Sequence, residues 1–343
     1  MVPRLLAELG KISHPTGAET PVDALFTLVA GDMQAVDALI HARMSSAVSL
    51  IPELSRHLID SGGKRLRPML TLAASAICNY TGNNHLNLAA AVEFIHTATL
   101  LHDDVVDASG LRRGKVAANV VWGNKPSILV GDFLFSRAFE LMVETGNLSV
   151  LGILARASSV IAEGEVMQLR SANNLGTTEA DYLAVVTAKT AALFAASAEA
   201  GGALAAAPRP IVETLRDYGL NLGIAFQLTD DTLDYLGGEQ QMGKAVGDDF
   251  REAKVTLPVI LALQRASEPQ RRFWERVIEA GEQSDRDLET AIQIVRDTGA
   301  IGESLSKARR YADAAIAAAS RLPSGQTSTA LVNIAEFCVA RTF

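Results

Sequence analysis

Cysteine is nearly absent from this chain of 343 residues. Only Cys78 and Cys338 occur, far apart and outside any metal-ligand spacing, so a disulfide framework or a cysteine metal centre is not expected. They read as buried free thiols of a reducing compartment. Basic residues are in deficit, 31 against 39 acidic, for a formal net charge of −8. A nucleic-acid partner is therefore disfavoured, because phosphate backbones call for clustered cations. No stretch reads as the roughly 18 consecutive apolar residues that span a bilayer. The opening MVPRLLAELG is too poor in basic residues, and its apolar run too short, for a secretion signal, and Glu8 argues against a transit peptide. The expectation is a cytoplasmic protein with no transmembrane segment. Aromatic residues make up 5% and prolines number 11. Runs of aromatic and β-branched residues that announce strands are few, and abundant alanine favours helix.

With 48% hydrophobic residues the chain has ample material for a core. Residues 1–20, with Pro3, Pro15 and Gly17, read as a loose lead-in. From there helical periodicity dominates, broken by short glycine, proline or asparagine punctuation. Breaks are expected at 60–63, 80–84, 108–110, 122–124, 171–178, 207–210, 237–238 and 323–325. No shift in composition marks a boundary, so residues 21–343 read as one all-α domain.

Two segments stand out. In 86–107, Leu88, Val92, Ile95 and Thr99 form one stripe, and Phe94, Ala98, Leu101 and Val105 a second. In 212–236, Leu222, Phe226, Thr229 and Leu233 form a stripe, with Ile224 and Leu228 on another side, and Gly237-Gly238 supply a stop. Apolar faces on two sides mark central helices. Each nevertheless ends in aspartates: Asp103, Asp104 and Asp107 in LLHDDVVD, and Asp230, Asp231 and Asp234 in FQLTDDTLDY. Both follow D-D-x-x-D, whose i and i+4 positions share a helix face about 5–6 Å apart. Like charges so placed destabilise a helix unless a cation neutralises them, and carboxylate oxygens suit Mg²⁺. The polar line continues through His96 and Thr99 on the first helix and Gln227 on the second. A lone acidic run is ordinarily a solvated face; two copies, each ending an apolar helix, are harder to explain that way.

An anionic substrate held through magnesium also needs cations. Ser61-Gly-Gly-Lys-Arg-Leu-Arg-Pro68 offers Lys64, Arg65 and Arg67 after a glycine pair, and arginine forks suit phosphate oxygens. Arg112 and Arg113 follow the first aspartate cluster. Lys189 lies in an alanine-rich helix, where a lysine without a partner is costly. Lys244 and Lys254 flank Asp248 and Asp249.

Taken together, GGKRLRP, LLHDDVVD, LRRGK, the Lys189-Thr190 pair, FQLTDDTLDY and GDDF resemble, in order and spacing, the all-trans polyprenyl diphosphate synthases, over about residues 40 to 260. That resemblance implies a bundle of antiparallel helices around a deep central cavity, and a homodimer. It implies that Lys64, Arg67, His96 and Arg113 bind isopentenyl diphosphate. Asp103, Asp107 and Asp230 would hold magnesium, with Asp104, Asp231 and Asp234 completing the two motifs. Arg112, Lys189, Thr190, Gln227 and Lys244 would grip an allylic diphosphate. Two departures are visible: Ala253 stands where many relatives have glycine, and the C-terminal tail around Arg341 is less basic than in some.

In the family, small residues four and five positions before the first aspartate permit long products. Here they are Thr99 and Ala98, so a C40 to C50 product is expected, of the kind used for quinone side chains, with transient membrane contact at product release. Farnesyl or geranylgeranyl diphosphate synthesis is the alternative. A terpene cyclase is disfavoured by the second D-D-x-x-D and by GGKRLRP. A non-catalytic subunit is disfavoured by both aspartate motifs being intact. A metal phosphohydrolase would need scattered histidine ligands that the sequence does not offer.

Overall fold

The helices begin where short polar side chains can satisfy the first backbone N–H groups. Thr20 and Asp23 form a capping box ahead of Pro21, Thr178 and Asp181 form another, and the Asn147 carboxamide accepts from the amides of Ser149 and Val150. The computed structural model describes residues 20–59, 62–236 and 247–340.

In chain order the helices are α1 Pro21–Leu28, α2 Ala30–Arg43, α3 Leu50–Ile59, α4 Leu66–Ile77, α5 Asn84–Val106, α6 Ala118–Trp122, α7 Asn124–Glu144 and α8 Leu148–Ser171. They continue as α9 Glu179–Val186, α10 Ala192–Leu204, α11 Arg209–Leu233, α12 Asp248–Arg251, α13 Leu257–Arg265, α14 Glu268–Trp274, α15 Asp287–Asp297, α16 Ala300–Ala319 and α17 Gln326–Ala340. The fold is all-α, as expected. Helix α5 packs against α7, α4 and α2, and α11 is held between α10 and α16. The connection from α10 to α11 is four residues long, which sets these two neighbours antiparallel.

The two segments singled out above are central helices. Leu88, Val92, Phe94, Ile95, Ala98 and Leu101 of α5 are fully buried, as are Leu222 and Leu228 of α11. On α5 the line His96, Thr99, Asp103 and Asp107 is the partly exposed one, and on α11 Phe226, Gln227 and Asp230 are likewise partly exposed. The polar stripes therefore keep partial exposure on helices that are otherwise buried.

Several features differ from the sequence reading. A hairpin, β1 Leu111–Arg112 with β2 Lys115–Val116, follows α5; two-residue strands leave no periodicity to read. Helix α11 stops at Leu233, with Asp234 as its C-cap, ahead of Gly237-Gly238, which lie outside the described residues. So do residues 1–19, Lys244 and Arg341. Additional breaks fall at 145–147, 266–267 and 280–286. Cys338 is buried, but Cys78 is only half-buried. The run Glu179–Leu204 is long and apolar enough, by length and composition, to cross a bilayer, but 61% of its most apolar stretch is buried in the fold. That run is also not one regular α-helix, because Thr187–Ala191 forms a π-helical turn.

Glycines set how closely the helices meet. A Cβ on Gly219 of α11 would lie 2.8 Å from the Ala195 Cα of α10 and would overlap the Phe194 carbonyl oxygen. One on Gly223 would lie 2.7 Å from the Ala191 Cα. On α8, a Cβ on Gly164 would lie 2.8 Å from the Lys189 amide nitrogen. Backbone thus rests on backbone on both sides of the π turn. Gly219→Ala should lower stability by about 1–3 kcal/mol, because neither backbone can yield without moving a helix, despite a gain of about 1 kcal/mol in helix propensity. Urea unfolding measures this, and an unchanged or higher midpoint would contradict the packing.

Candidate active site

The first aspartate helix presents its acids in two directions. Asp103 and Asp107, four residues apart, share the partly exposed stripe. Asp104 is rotated away and fully buried, where its Oδ1 accepts from Arg112 Nε at 2.7 Å. Burial pushes the Asp104 carboxyl up, and Arg112 opposes that. Arg112, expected to grip a diphosphate, is thus engaged with Asp104, whose role here is to fix the turn after α5. Asn119 reinforces that turn by donating to the Asp104 backbone carbonyl at 2.8 Å.

The second motif divides in the same way. Asp230 is partly exposed, while Asp231 is buried. Asp231 accepts from the Tyr182 hydroxyl at 2.5 Å and from the Gln227 carboxamide at 2.7 Å. Thr190 in turn donates to Gln227 at 2.9 Å. A chain of hydrogen bonds therefore ties α9, the π turn and α11 together, and it orients Gln227 beside Asp230. Burial and Asp231 raise the Tyr182 phenol well above its usual range, so it remains a donor. Asp234 caps α12: its carboxylate accepts from the amides of Gly247 at 3.0 Å, Asp248 at 3.2 Å and Asp249 at 2.9 Å. Burial pushes this carboxyl up, against those N–H donors. Of six aspartates, Asp103, Asp107 and Asp230 lie on the partly exposed stripes, while Asp104 is held by Arg112, Asp231 by Tyr182 and Gln227, and Asp234 by three backbone amides.

Two lysines meet the open carboxylates. Lys189, on the π turn, lies 3.7 Å from Asp103 and 2.8 Å from Glu165 of α8. The partner that the sequence left unspecified for this lysine is Glu165. Burial, then Asp103, push the Glu165 carboxyl up, and its Oε1 is buried with no hydrogen-bond partner. Lys254 reaches Asp107 at 3.0 Å and also pairs with Glu252. Burial works to lower the Lys254 ammonium, and Asp107, Glu252 and Asp249 overturn that and raise it. Because the Lys254 amide also bonds the Asp249 carbonyl, and the Asp249 amide bonds Asp234, this segment joins the ends of the two aspartate helices. Ala253 beside it has φ of 51°, a left-handed conformation that glycine adopts freely and alanine at a cost of about 1–2 kcal/mol.

Arg65 and Arg67 lie against α5, and Arg113 reaches back to the loop that precedes them. Arg113 donates to the Gly62 carbonyl, and a Cβ on Gly63 would lie 2.7 Å from the Arg113 guanidinium. The glycine itself is required by its backbone, with φ of 145°. Arg65 is paired with the buried Glu93. Arg67 Nη1 is 3.2 Å from His96 Nε2; arginine cannot accept, so this nitrogen is the acceptor. Burial, then Arg67 and Arg113, hold His96 well below its usual range, and it is neutral. Lys64 lines a hollow of about 20 Å³ with Leu66, Leu222 and Phe226. Thr99 donates to the His96 carbonyl at 2.8 Å, while Ala98 beside it is fully buried.

No three acidic, histidine or cysteine side chains among the described residues gather closely enough to cage a metal. A magnesium ion needs only one or two carboxylates when phosphate oxygens complete its shell. Asp103 and Asp107 fit that requirement: burial raises the Asp103 carboxyl and Asp107 raises it further, with Lys189, Arg112 and Lys254 opposing. Crowded carboxylates in a water-poor site favour an added hard cation. Sequence reading missed Glu165, Tyr182, Lys254 and Glu93 as partners; Lys254 alone left a signal, its place beside the third acidic pair.

The family model for polyprenyl synthetase matches residues 48–295, which contain every residue discussed in this site. The chain is 44% identical over 314 residues to octaprenyl diphosphate synthase of Escherichia coli (strain K12), covering 92% of this chain and 97% of that protein. It is 52% identical to a polyprenyl synthase from Caulobacter crescentus CB15, solved with calcium and isoprenyl diphosphate, with a TM-score of 0.92 over 95% of this chain and 99% of that one. It is 53% identical to a decaprenyl diphosphate synthase from Rhodobacter capsulatus, with a TM-score of 0.90 over 94% and 99%. Two acidic stripes, the first met by two lysines, an arginine-rich loop over a neutral histidine, and this depth of likeness lead to one assignment: the chain belongs to the polyprenyl synthetase family and is a prenyltransferase.

Proposed function

We propose that the chain condenses isopentenyl diphosphate head-to-tail onto an allylic diphosphate, repeatedly, to give an all-trans product of C40 to C50. The observation that carries this is the pair of partly exposed acidic stripes on otherwise buried helices, the first of them met by Lys189 at Asp103 and by Lys254 at Asp107. The long product agrees with relatives named for octaprenyl and decaprenyl diphosphates and with the small residues Ala98 and Thr99. A quinone side chain is the use such a lipid suits.

Asp103, Asp107 and Asp230 would hold Mg²⁺, which on binding would offset charge that develops on the departing diphosphate. Lys189, with Thr190 and Gln227 fixed by their hydrogen bonds, faces the same diphosphate and stabilises it as the allylic carbon becomes cationic. Lys244, outside the described residues, belongs with this group by sequence. Lys64, Arg67, His96 and Arg113 hold the diphosphate of isopentenyl diphosphate so that its double bond meets that carbon. Exclusion of water by the surrounding helices protects the cation. The released diphosphate takes the proton, since Asp103, Asp107 and Asp230 are reserved for the metal and Asp104, Asp231, Asp234 and Glu165 are engaged by arginine, tyrosine and carboxamide, backbone amides and lysine.

The homodimer expected from the sequence has a surface available to it. Leu129 and Val143 on α7, and Leu148, Val166 and Leu169 on α8, are large apolar residues at least 60% exposed, a concentration that marks an interaction face. A cytoplasmic enzyme that touches the membrane only to release its lipid completes the proposal.

Three outcomes follow. Asp103→Ala should cut kcat by about 10²–10³-fold, the scale of losing one charge-stabilising group, with unchanged far-ultraviolet circular dichroism; substantial magnesium-dependent turnover would remove Asp103 as a ligand. Thr99→Phe should shorten the product, read by mass spectrometry of the lipid. Ala98→Phe should do so too, at some cost in packing because that site is closed, and unchanged lengths in both would contradict the placement of the growing chain. Leu129→Glu with Val143→Glu should convert a dimer into a monomer in light scattering, and an intact dimer would move the interface elsewhere.

A further inference from the structure

Arg67 has no carboxylate at ion-pair distance among the described residues. Arg65 has Glu93 and Arg112 has Asp104. Arg67 has the His96 ring nitrogen at one Nη and no acceptor for its buried Nε among the described residues. Its guanidinium carbon instead lies 4.3 Å from the centroid of the Phe194 ring. Burial draws the Arg67 guanidinium down to about 10, with Glu93 opposing and Arg113 adding, and the side chain is partly buried.

An arginine that is to receive a diphosphate must meet two opposed requirements. Its charge needs a favourable partner where water is scarce, yet its N–H donors must stay available. A carboxylate meets the first only by filling the donor fork and cancelling the charge. An aromatic ring meets both, because it interacts with the flat face of the guanidinium and leaves the donors at the edge. Phe194 is placed for this. It is 1% exposed, begins one turn after Lys189 and Thr190, and is backed by the Phe226 ring at 5.8 Å. Gly223 lets α11 close on its root, where a Cβ would lie 3.1 Å from the Phe194 Cβ.

We propose that Phe194 is a positioning residue for isopentenyl diphosphate: its ring face holds the Arg67 guanidinium in place while leaving N–H donors for the incoming diphosphate. This rests on Arg67 binding that substrate, as set out above. The ring's other role, filling core volume, is separable from its electrostatic one by fluorination, which drains the ring face while keeping the shape close.

The test replaces Phe194 with its mono-, di- and trifluorinated analogues, and measures KM for each substrate, kcat at saturation and Tm in the full-length enzyme. KM for isopentenyl diphosphate should rise stepwise, by roughly 3- to 10-fold in all, the range of a partly buried cation–π contact. KM for the allylic substrate, kcat and Tm should stay level. Phe194→Leu should raise the same KM at least as far. A flat fluorine series would overturn the proposal and leave Phe194 a packing residue. Arg67→Gln separates the two layers: if it raises KM for isopentenyl diphosphate while the series is flat, only the role of Phe194 fails. If Arg67→Gln leaves that KM unchanged, the binding role of Arg67 fails and this inference with it.

Discussion

Carboxylates held between two apolar helices, with too little water to solvate them, are the constraint around which the molecule is arranged. Asp103 and Asp107 sit on a helix whose other faces are closed by leucine, valine and phenylalanine. Such charges persist only beside cations, and Lys189 and Lys254 supply them from opposite directions. Each lysine is steadied by a further carboxylate, Glu165 or Glu252. The resulting charge pattern is alternating and adjustable: a diphosphate with its metal adds both signs at once, so its arrival need not leave any buried ion without a partner.

That arrangement depends on close helix approach. Gly219 brings α11 onto the backbone of α10, and Gly223 and Gly164 bring α11 and α8 onto the π turn. Larger residues would hold the helices apart, and the short hydrogen bonds from Thr190 to Gln227 and from Lys189 to Glu165 would not form. The π turn itself, which adds a residue to one helical turn, carries Lys189 and Thr190 toward different partners, one on α8 and one on α11.

Much of the site was readable from sequence because helical arithmetic is local. His96, Thr99, Asp103 and Asp107 fall on one line by spacing alone, and that line is the exposed one. The division of labour within each D-D-x-x-D came from the family resemblance alone and not from spacing. Asp103 and Asp104 differ by one residue, and only Arg112, brought back by a two-residue-stranded hairpin, shows which of them is structural. Likewise Asp234 was expected only to complete its motif, and spacing gave no sign of the three amides that α12 places on it. The partners that matter most are remote in the chain: Lys254 meets Asp107 across 147 residues and Lys189 meets Glu165 across 24. No periodicity encodes such pairs. The π turn was hidden for a different reason, since its alanine-rich sequence fits an ordinary helix equally well.

The central claim is that the open halves of the two motifs act together on one diphosphate. A crystal structure of the chain with Mg²⁺ and an unreactive thio-analogue of the allylic diphosphate tests it most directly. The account predicts magnesium at about 2.0–2.1 Å from oxygens of Asp103 and Asp107 on α5 and of Asp230 on α11, bridged by the diphosphate, with Asp104, Asp231 and Asp234 still on their protein partners. Magnesium bound to one helix alone, or a diphosphate seated away from Lys189, would contradict it.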